Sequence, residues 1–188
     1  MLSSWRLGTS VPDHVAAATD PFDVLRFAAS VSPSTADHVD ARFRSREVDA
    51  VKTAPQTPGL TELLRHIAQD GKTVSIVSNN ATEAVRGYLE RTGLTPLIGD
   101  INAREDSNVE NLKPAPFLLE RAMSRLGARP ADCVMIGDSV TDIQAAKAAG
   151  TKVIAYANKP GKRERFAAHQ PDALIDSMTV LFEAPTTG

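Results

Sequence analysis

Three short segments of this sequence carry residue types that handle phosphate and a hard cation. They are Ser78-Asn79-Asn80, Asn111-Leu112-Lys113-Pro114 and Gly137-Asp138-Ser139-Val140-Thr141-Asp142. A hydroxyl and the backbone N–H groups at a helix start can hold phosphate oxygens. A lysine ammonium is a compact point charge suited to a phosphoryl group. Asp138 and Asp142 stand one helical turn apart, and such a pair can hold Mg2+, which takes few carboxylates and fills its shell with water and phosphate. Gly137 lets the backbone turn sharply beside a ligand. Each segment also has a plainer reading. Asp138 and Asp142 could form a turn and a helix cap, Ser78 could cap a helix, and Lys113 could be a solvated surface lysine.

The elements around these segments decide whether they meet. From residue 58 the hydrophobic pattern alternates between strand and helix. Leu60, Leu63, Leu64 and Ile67 have helical spacing and Gly71 follows as a stop. The β-branched run 72–77 leads into Ser78, and a helix is expected over 81–92 before Gly93. A weaker strand is expected over 97–101, and a helix opening at Pro114 and closing at Gly127. Cys133-Val134-Met135-Ile136 is a strong strand running straight into Gly137-Asp138. An alanine-rich helix (140–149), a strand (152–156), a basic segment (Lys159, Lys162, Arg163, Arg165), a short strand (173–175) and a helix (177–183) complete the pattern. Alternating strands and helices with short loops predict an α/β fold, a parallel sheet with helices on both faces. Ligands bind such sheets at the carboxyl ends of the strands, where all three segments fall. The basic segment reads as a solvated helix start rather than a substrate anchor.

Residues before 56 have a different texture. Asp20 is a suitable N-cap with Pro21 in the first turn, and Val24, Leu25, Phe27 and Ala28 form an apolar face. A second helix over 33–50, capped by Ser32 or Ser34, carries few apolar residues. The expectation is a thin, half-exposed helix pair, with Pro55 and Pro58 marking a boundary between a segment 1–55 and a body 56–188.

Val-Ser-Ile-Val-Ser78-Asn, Leu-Lys113-Pro and Val-Met-Ile-Gly-Asp138-Ser-Val-Thr-Asp142 resemble, in order and spacing, the second, third and fourth motifs of the haloacid dehalogenase superfamily. The nearest branch is the one that includes phosphoglycolate phosphatase-like enzymes. The resemblance covers roughly residues 55–180 and implies a three-layer, Rossmann-like parallel sheet, with residues 1–55 as a partial helical cap. It implies a Mg2+-dependent phosphatase acting on a small phosphomonoester through an aspartyl-phosphate. Ser78 would bond the transferring phosphoryl group, Asn79 would shape that phosphate-binding loop, and Lys113 would stabilise developing charge. Asp138 would bind Mg2+, with Asp142 as a ligand or as an orienter behind it.

The family's first motif, Asp-x-Asp at the end of the first strand, supplies the nucleophile and the general acid/base. No aspartate here has another two positions later. Asp20 and Asp23 lie three apart, follow no apolar strand and read as a helix start. In the family that first strand sits mid-sheet, between the strands at 73–77 and 133–136, and its loss leaves two costly unpaired edges. The expectation is a chain that begins downstream of the catalytic aspartates and that alone is inactive, poorly stable or a homo-oligomer. The alternative is a non-catalytic member that binds a phosphoryl ligand or a protein partner. Leu2 to Val11 would make a poor replacement strand, given their glycine and serines.

Composition narrows the setting. A net charge of -2 gives no electrostatic case for nucleic acid or an anionic membrane. The lone Cys133 excludes an internal disulfide and, in its apolar run, reads as a reduced core thiol. No apolar run could span a bilayer, and the first residues lack a basic start followed by an apolar stretch, so the cytoplasm is the expected location. His14, His38, His66 and His169 show no metal-ligand spacing.

Overall fold

The computed structural model describes residues 12–18 and 20–183. Leu2 to Val11, considered above as a replacement strand, lie outside the described residues. A short turn of helix, α1 (Asp13–Ala16), precedes two long ones. The Asp20 carboxylate accepts the Phe22 N–H at 2.9 Å and starts α2 (Pro21–Val31). The Ser32 hydroxyl accepts the Thr35 N–H at 3.1 Å and starts α3 (Pro33–Val51). This helix pair is less exposed than its sequence suggests. Val15, Phe22, Val24, Leu25, Ala28 and Val39 form a closed apolar cluster that Leu112, from the loop before Lys113, completes. Burying one such aliphatic side chain is worth about 1.5–3 kcal/mol, so Leu112 ties the pair firmly to the loop that carries Lys113.

The rest of the chain alternates as expected: α4 (Leu60–Gln69), β1 (Ser75–Ala81), α5 (Thr82–Thr92), β2 (Asp100–Arg104), α6 (Phe117–Leu126), β3 (Val134–Gly137), α7 (Val140–Ala149), β4 (Lys152–Tyr156), α8 (Lys162–Ala167), β5 (Ala173–Ile175) and α9 (Val180–Glu183). Several boundaries move. β1 runs on through Ser78-Asn79-Asn80, with a register shift between Ser78 and Ala81. β2 begins at Asp100 rather than 97, because Pro96 sits in a 3-10 turn over Thr95–Leu97. Cys133 falls just before β3 and is half-buried rather than in the core.

Every strand pairing is parallel, yet the described strands form two sheets, β2-β1 and β3-β4-β5. Ser75 pairs with Asp100 and Ser78 with Ala103 in one; Val134 pairs with Lys152 and Gly137 with Ala155 in the other. The two lie side by side under shared helices. On one face Val77 and Met135 pack on a cluster built from Leu119 and Met123 of α6 and Ile143 and Ala146 of α7. On the other face α4 spans both, with Leu64 over Ile76 and Ile101 and Leu63 over Ile136 and Tyr156. Alternate residues of β1 and β3 thus point to opposite faces, as the strand period of two requires. This is the three-layer α/β architecture. Among the described residues no ladder joins β1 to β3, and Val134 at the start of β3 is 54% exposed.

Candidate active site

Lys113 is the centre of the rim. Its backbone is held by Asn79, whose side-chain oxygen accepts the Lys113 N–H at 2.8 Å and whose amide donates to the Lys113 carbonyl at 3.1 Å. A side-chain amide can imitate a backbone peptide in this way because it carries both a donor and an acceptor. Arg26 of α2 donates to the same carbonyl at 3.1 Å. The Lys113 side chain then runs inward, and its ammonium donates to the Val77 carbonyl at 3.1 Å and to Asp142 Oδ1 at 2.6 Å. Lys113 therefore spans the two sheets at their carboxyl ends, one residue from Ser78. The Ser78 Oγ accepts the Asn80 N–H at 3.1 Å, and among the described residues its own O–H donates to no protein acceptor.

Asp142 faces inward. Its Oδ2 accepts the N–H groups of Asp138 and Ser139, both at 3.0 Å, while the Ser139 hydroxyl accepts the Asp142 N–H at 3.1 Å. This reciprocal pair is a capping box that starts α7. With Lys113 on its other oxygen, Asp142 is fully engaged and 4% exposed. Gly137 is what makes room: a methyl group there would lie 2.7 Å from the Asp142 Cγ and Oδ2 and closer still to its Cβ. The close approach that requires glycine is thus to a side chain of this protein.

Asp138 turns outward. Its Oδ2 accepts from the Lys162 ammonium at 2.7 Å and from the Asn158 amide at 3.3 Å. Lys162 also donates to the Asp138 carbonyl at 2.6 Å. The basic segment is therefore not simply solvated: its second lysine, Lys162, reaches back to the rim. Tested as a Mg2+ site, the set is incomplete. Asp138 offers one outward carboxylate, Asp142 is consumed by other donors, and no group of three or more His, Cys, Asp or Glu among the described residues could hold a metal ion.

Behind Asn79 lies a buried charged cluster with no local sequence signature. Arg104, at the end of β2, donates to the Asn79 carbonyl at 2.8 Å and to both Glu47 oxygens at 2.7 and 2.8 Å, and it pairs with Asp40. Glu47 also accepts the Ala81 N–H at 2.8 Å. Burial pulls the Arg104 pKa down to about 10 and pushes that of Glu47 up. Helix α3 is thereby fastened to the Ser78-Asn79 segment. A cleft of about 450 Å3 opens between α2 and the segment 109–115, lined by Arg26, Ser30, Glu110 and Pro114 among others. Reading the rim strand by strand would also have reached Arg104, the last residue of β2, and Asn158, two residues past β4, though not the distant partners that either one meets. Asp20 is engaged elsewhere, capping α2 and pairing with Arg26.

Comparisons with known proteins bear on the family and the fold. Pyrophosphatase PpaX of Bacillus pumilus is 32% identical over 139 residues, 74% of this chain and 62% of that protein. The phosphoglycolate phosphatase of Salmonella choleraesuis is 32% identical over 127 residues, 68% of this chain and 50% of that protein. The chain thus spans less than two thirds of the length of these relatives. Among solved structures, a putative phosphoglycolate phosphatase from Lactobacillus plantarum superposes with a TM-score of 0.70 at 19% identity, over 94% of this chain and 84% of that one. CbbY from Rhodobacter sphaeroides, solved with xylulose-1,5-bisphosphate, gives 0.69 at 21% identity over 87% and 76%. At such identities these two speak for the fold. Residues 7–150 match the family described as haloacid dehalogenase-like hydrolase, and the chain belongs to that family.

Proposed function

We propose that this chain is the phosphoryl-binding body of a cytoplasmic phosphatase that acts on a small phosphomonoester. The observation that carries the reading is Lys113, gripped at its backbone by Asn79 and set between the end of β1 and Asp142. A lysine fixed in this way puts a preorganised positive charge where phosphoryl oxygens arrive, and preorganised charge is what lowers a transition state that develops charge. Ser78, with its O–H available, donates to a phosphoryl oxygen. Asn79 acts through Lys113, since both of its side-chain polar atoms are committed to that residue's backbone. Asp142 holds the ammonium and the Asp138 backbone in place, which is the orienter's role. Asp138 is the carboxylate that would face Mg2+, and the ion would supply charge neutralisation at the phosphoryl group. The described residues furnish a single ligand for it, so no step is derived through the metal.

In a phosphatase of this kind a carboxylate attacks phosphorus, the alcohol leaves, and water then cleaves the acyl phosphate. The 188 residues hold no Asp-x-Asp to do this. A second reading therefore stands beside the first: a non-catalytic member that binds a phosphoryl ligand. It is favoured by the same absence and by both rim carboxylates already carrying lysine partners.

The test is to titrate the chain with 2-phosphoglycolate and with pyrophosphate while assaying turnover in Mg2+. Saturable binding of one of them, weakened by Ser78→Ala, is expected, with no metal-dependent turnover. No binding of either probe would contradict the proposal, and clear turnover abolished by Asp138→Ala would contradict the missing nucleophile.

A further inference from the structure

The grip of Asn79 on the Lys113 backbone is only as firm as Asn79 itself, and the strand ladder does not hold Asn79. β1 pairs with β2 through Ser78 and resumes at Ala81, so Asn79 and Asn80 fall where the register shifts and have no partner in β2. The donor that a ladder would supply comes instead from a side chain. Arg104 Nε donates to the Asn79 carbonyl at 2.8 Å. Arginine carries its donors in a rigid planar fork, so fixing the rest of the fork fixes this one. One terminal nitrogen of Arg104 donates to both Glu47 oxygens, and the other pairs with Asp40. Asp40 and Glu47 stand seven positions apart on α3, close to two full turns, so both carboxylates face the same way. The guanidinium also lies 5.7 Å from the centre of the Phe22 ring of α2, within the range of cation–π attraction. Arg104, Asn79 and Lys113 are all buried, at 2%, 8% and 8% exposure, and form one connected line from α3 to the rim.

We propose that Arg104 is a positioning residue for Lys113. By holding the Asn79 carbonyl where the ladder lapses, it fixes the side-chain amide that binds the Lys113 N–H and carbonyl, and so carries the seat of α3 to the charge that meets a phosphoryl group. The proposal rests on the reading of Lys113 as that charge. Arg104 itself touches no ligand. Arg104→Lys separates its two roles: the ammonium keeps a positive charge among Asp40 and Glu47, while the Asn79 carbonyl loses the donor that the fork provides.

The experiment uses the full 188-residue chain as wild type, Arg104→Lys, Asn79→Ala and the double variant. Inorganic phosphate binding is measured by calorimetry, and exchange of the Lys113 backbone N–H by nuclear magnetic resonance. The Ala157 N–H, bonded to the Ile175 carbonyl at 2.7 Å in the other sheet, is the reference for general loosening. One hydrogen bond is worth a few-fold to about tenfold in an equilibrium, so Arg104→Lys should weaken phosphate binding about threefold to tenfold. It should speed Lys113 exchange relative to Ala157, and it should add nothing once Asn79→Ala is present. If Arg104→Lys does not fold, the triple variant Arg104→Met, Asp40→Asn, Glu47→Gln, which strands no charge, should show the same two changes. Unchanged phosphate affinity, Lys113 exchange that moves only in step with Ala157, or losses that add in the double variant would overturn the proposal and leave Lys113 as the phosphoryl-binding charge. A wild-type chain that binds no phosphate would overturn that reading of Lys113, and the proposal with it.

Discussion

Lys113 Nζ and Asp142 Oδ1 meet at 2.6 Å with only 10% and 6% of their side chains exposed. This pair links the loop before α6 to the first turn of α7, and so links the two sheets at the rim. Removing one member of a buried pair strands the other charge, at a cost of about 3–5 kcal/mol. Asp142→Ala should approach that loss, because it also removes the acceptor for the Asp138 and Ser139 N–H groups. Lys113→Met should cost less, since Asp142 keeps those two donors. Urea unfolding of the two variants checks this; an Asp142→Ala loss below that of Lys113→Met would contradict it.

Gly137→Ala should act through the same pair. The added methyl group meets the Asp142 side chain at 2.7 Å, a contact that forces the carboxylate away from Lys113. Overpacking of this sort costs about 1–3 kcal/mol. The melting temperature should fall, and binding of phosphomonoesters should weaken with it. A variant of unchanged stability would mean that Asp142 has room to move.

Much of this was legible in the sequence. The order of strands and helices follows from the apolar runs; two rim segments follow from reading what comes after the apolar runs at 72–77 and 133–136, and the third from the Lys113-Pro114 step before a helix. The inward turn of Asp142 also had a signal, since Ser139 and Asp142 have the capping-box spacing, which competes with metal ligation for the same carboxylate. Other features had none. The division into two sheets is a property of tertiary pairing. Lys162 reaches Asp138 across 24 positions, and Arg104 meets Glu47 across 57, distances over which local patterning is silent. The start of β2 moved because Pro96 favours a tight turn over a ladder position.

Arg104 offers a test of that buried cluster. Its side chain is 1% exposed and neutralises Asp40 and Glu47 together. Arg104→Met strips Glu47 of its ion-pair partner and leaves Asp40 with Arg44 alone, and should cost about 3–5 kcal/mol. Adding Asp40→Asn and Glu47→Gln should recover part of the loss, a non-additive result that chemical denaturation can read. A triple variant less stable than the single one would contradict the pairing.

Cys133 should be a sluggish thiol. Burial first, and Asp132 second, push its pKa up, so less thiolate is present near neutral pH. Modification by a thiol-reactive disulfide at pH 7 should be several-fold slower in the folded chain than in urea. The difference should narrow as pH rises through the raised pKa. Equal rates at pH 7 would contradict the shift.

The central claim is that Lys113 is the charge that holds a phosphoryl group at this rim. Calorimetric titration of the wild type and Lys113→Met with inorganic phosphate addresses it directly, with circular dichroism to verify folding. Hydrogen bonds to a charged group contribute about 1.5–3 kcal/mol, so the variant should bind phosphate at least about tenfold more weakly. A folded Lys113→Met chain that binds phosphate as tightly as the wild type would contradict the account.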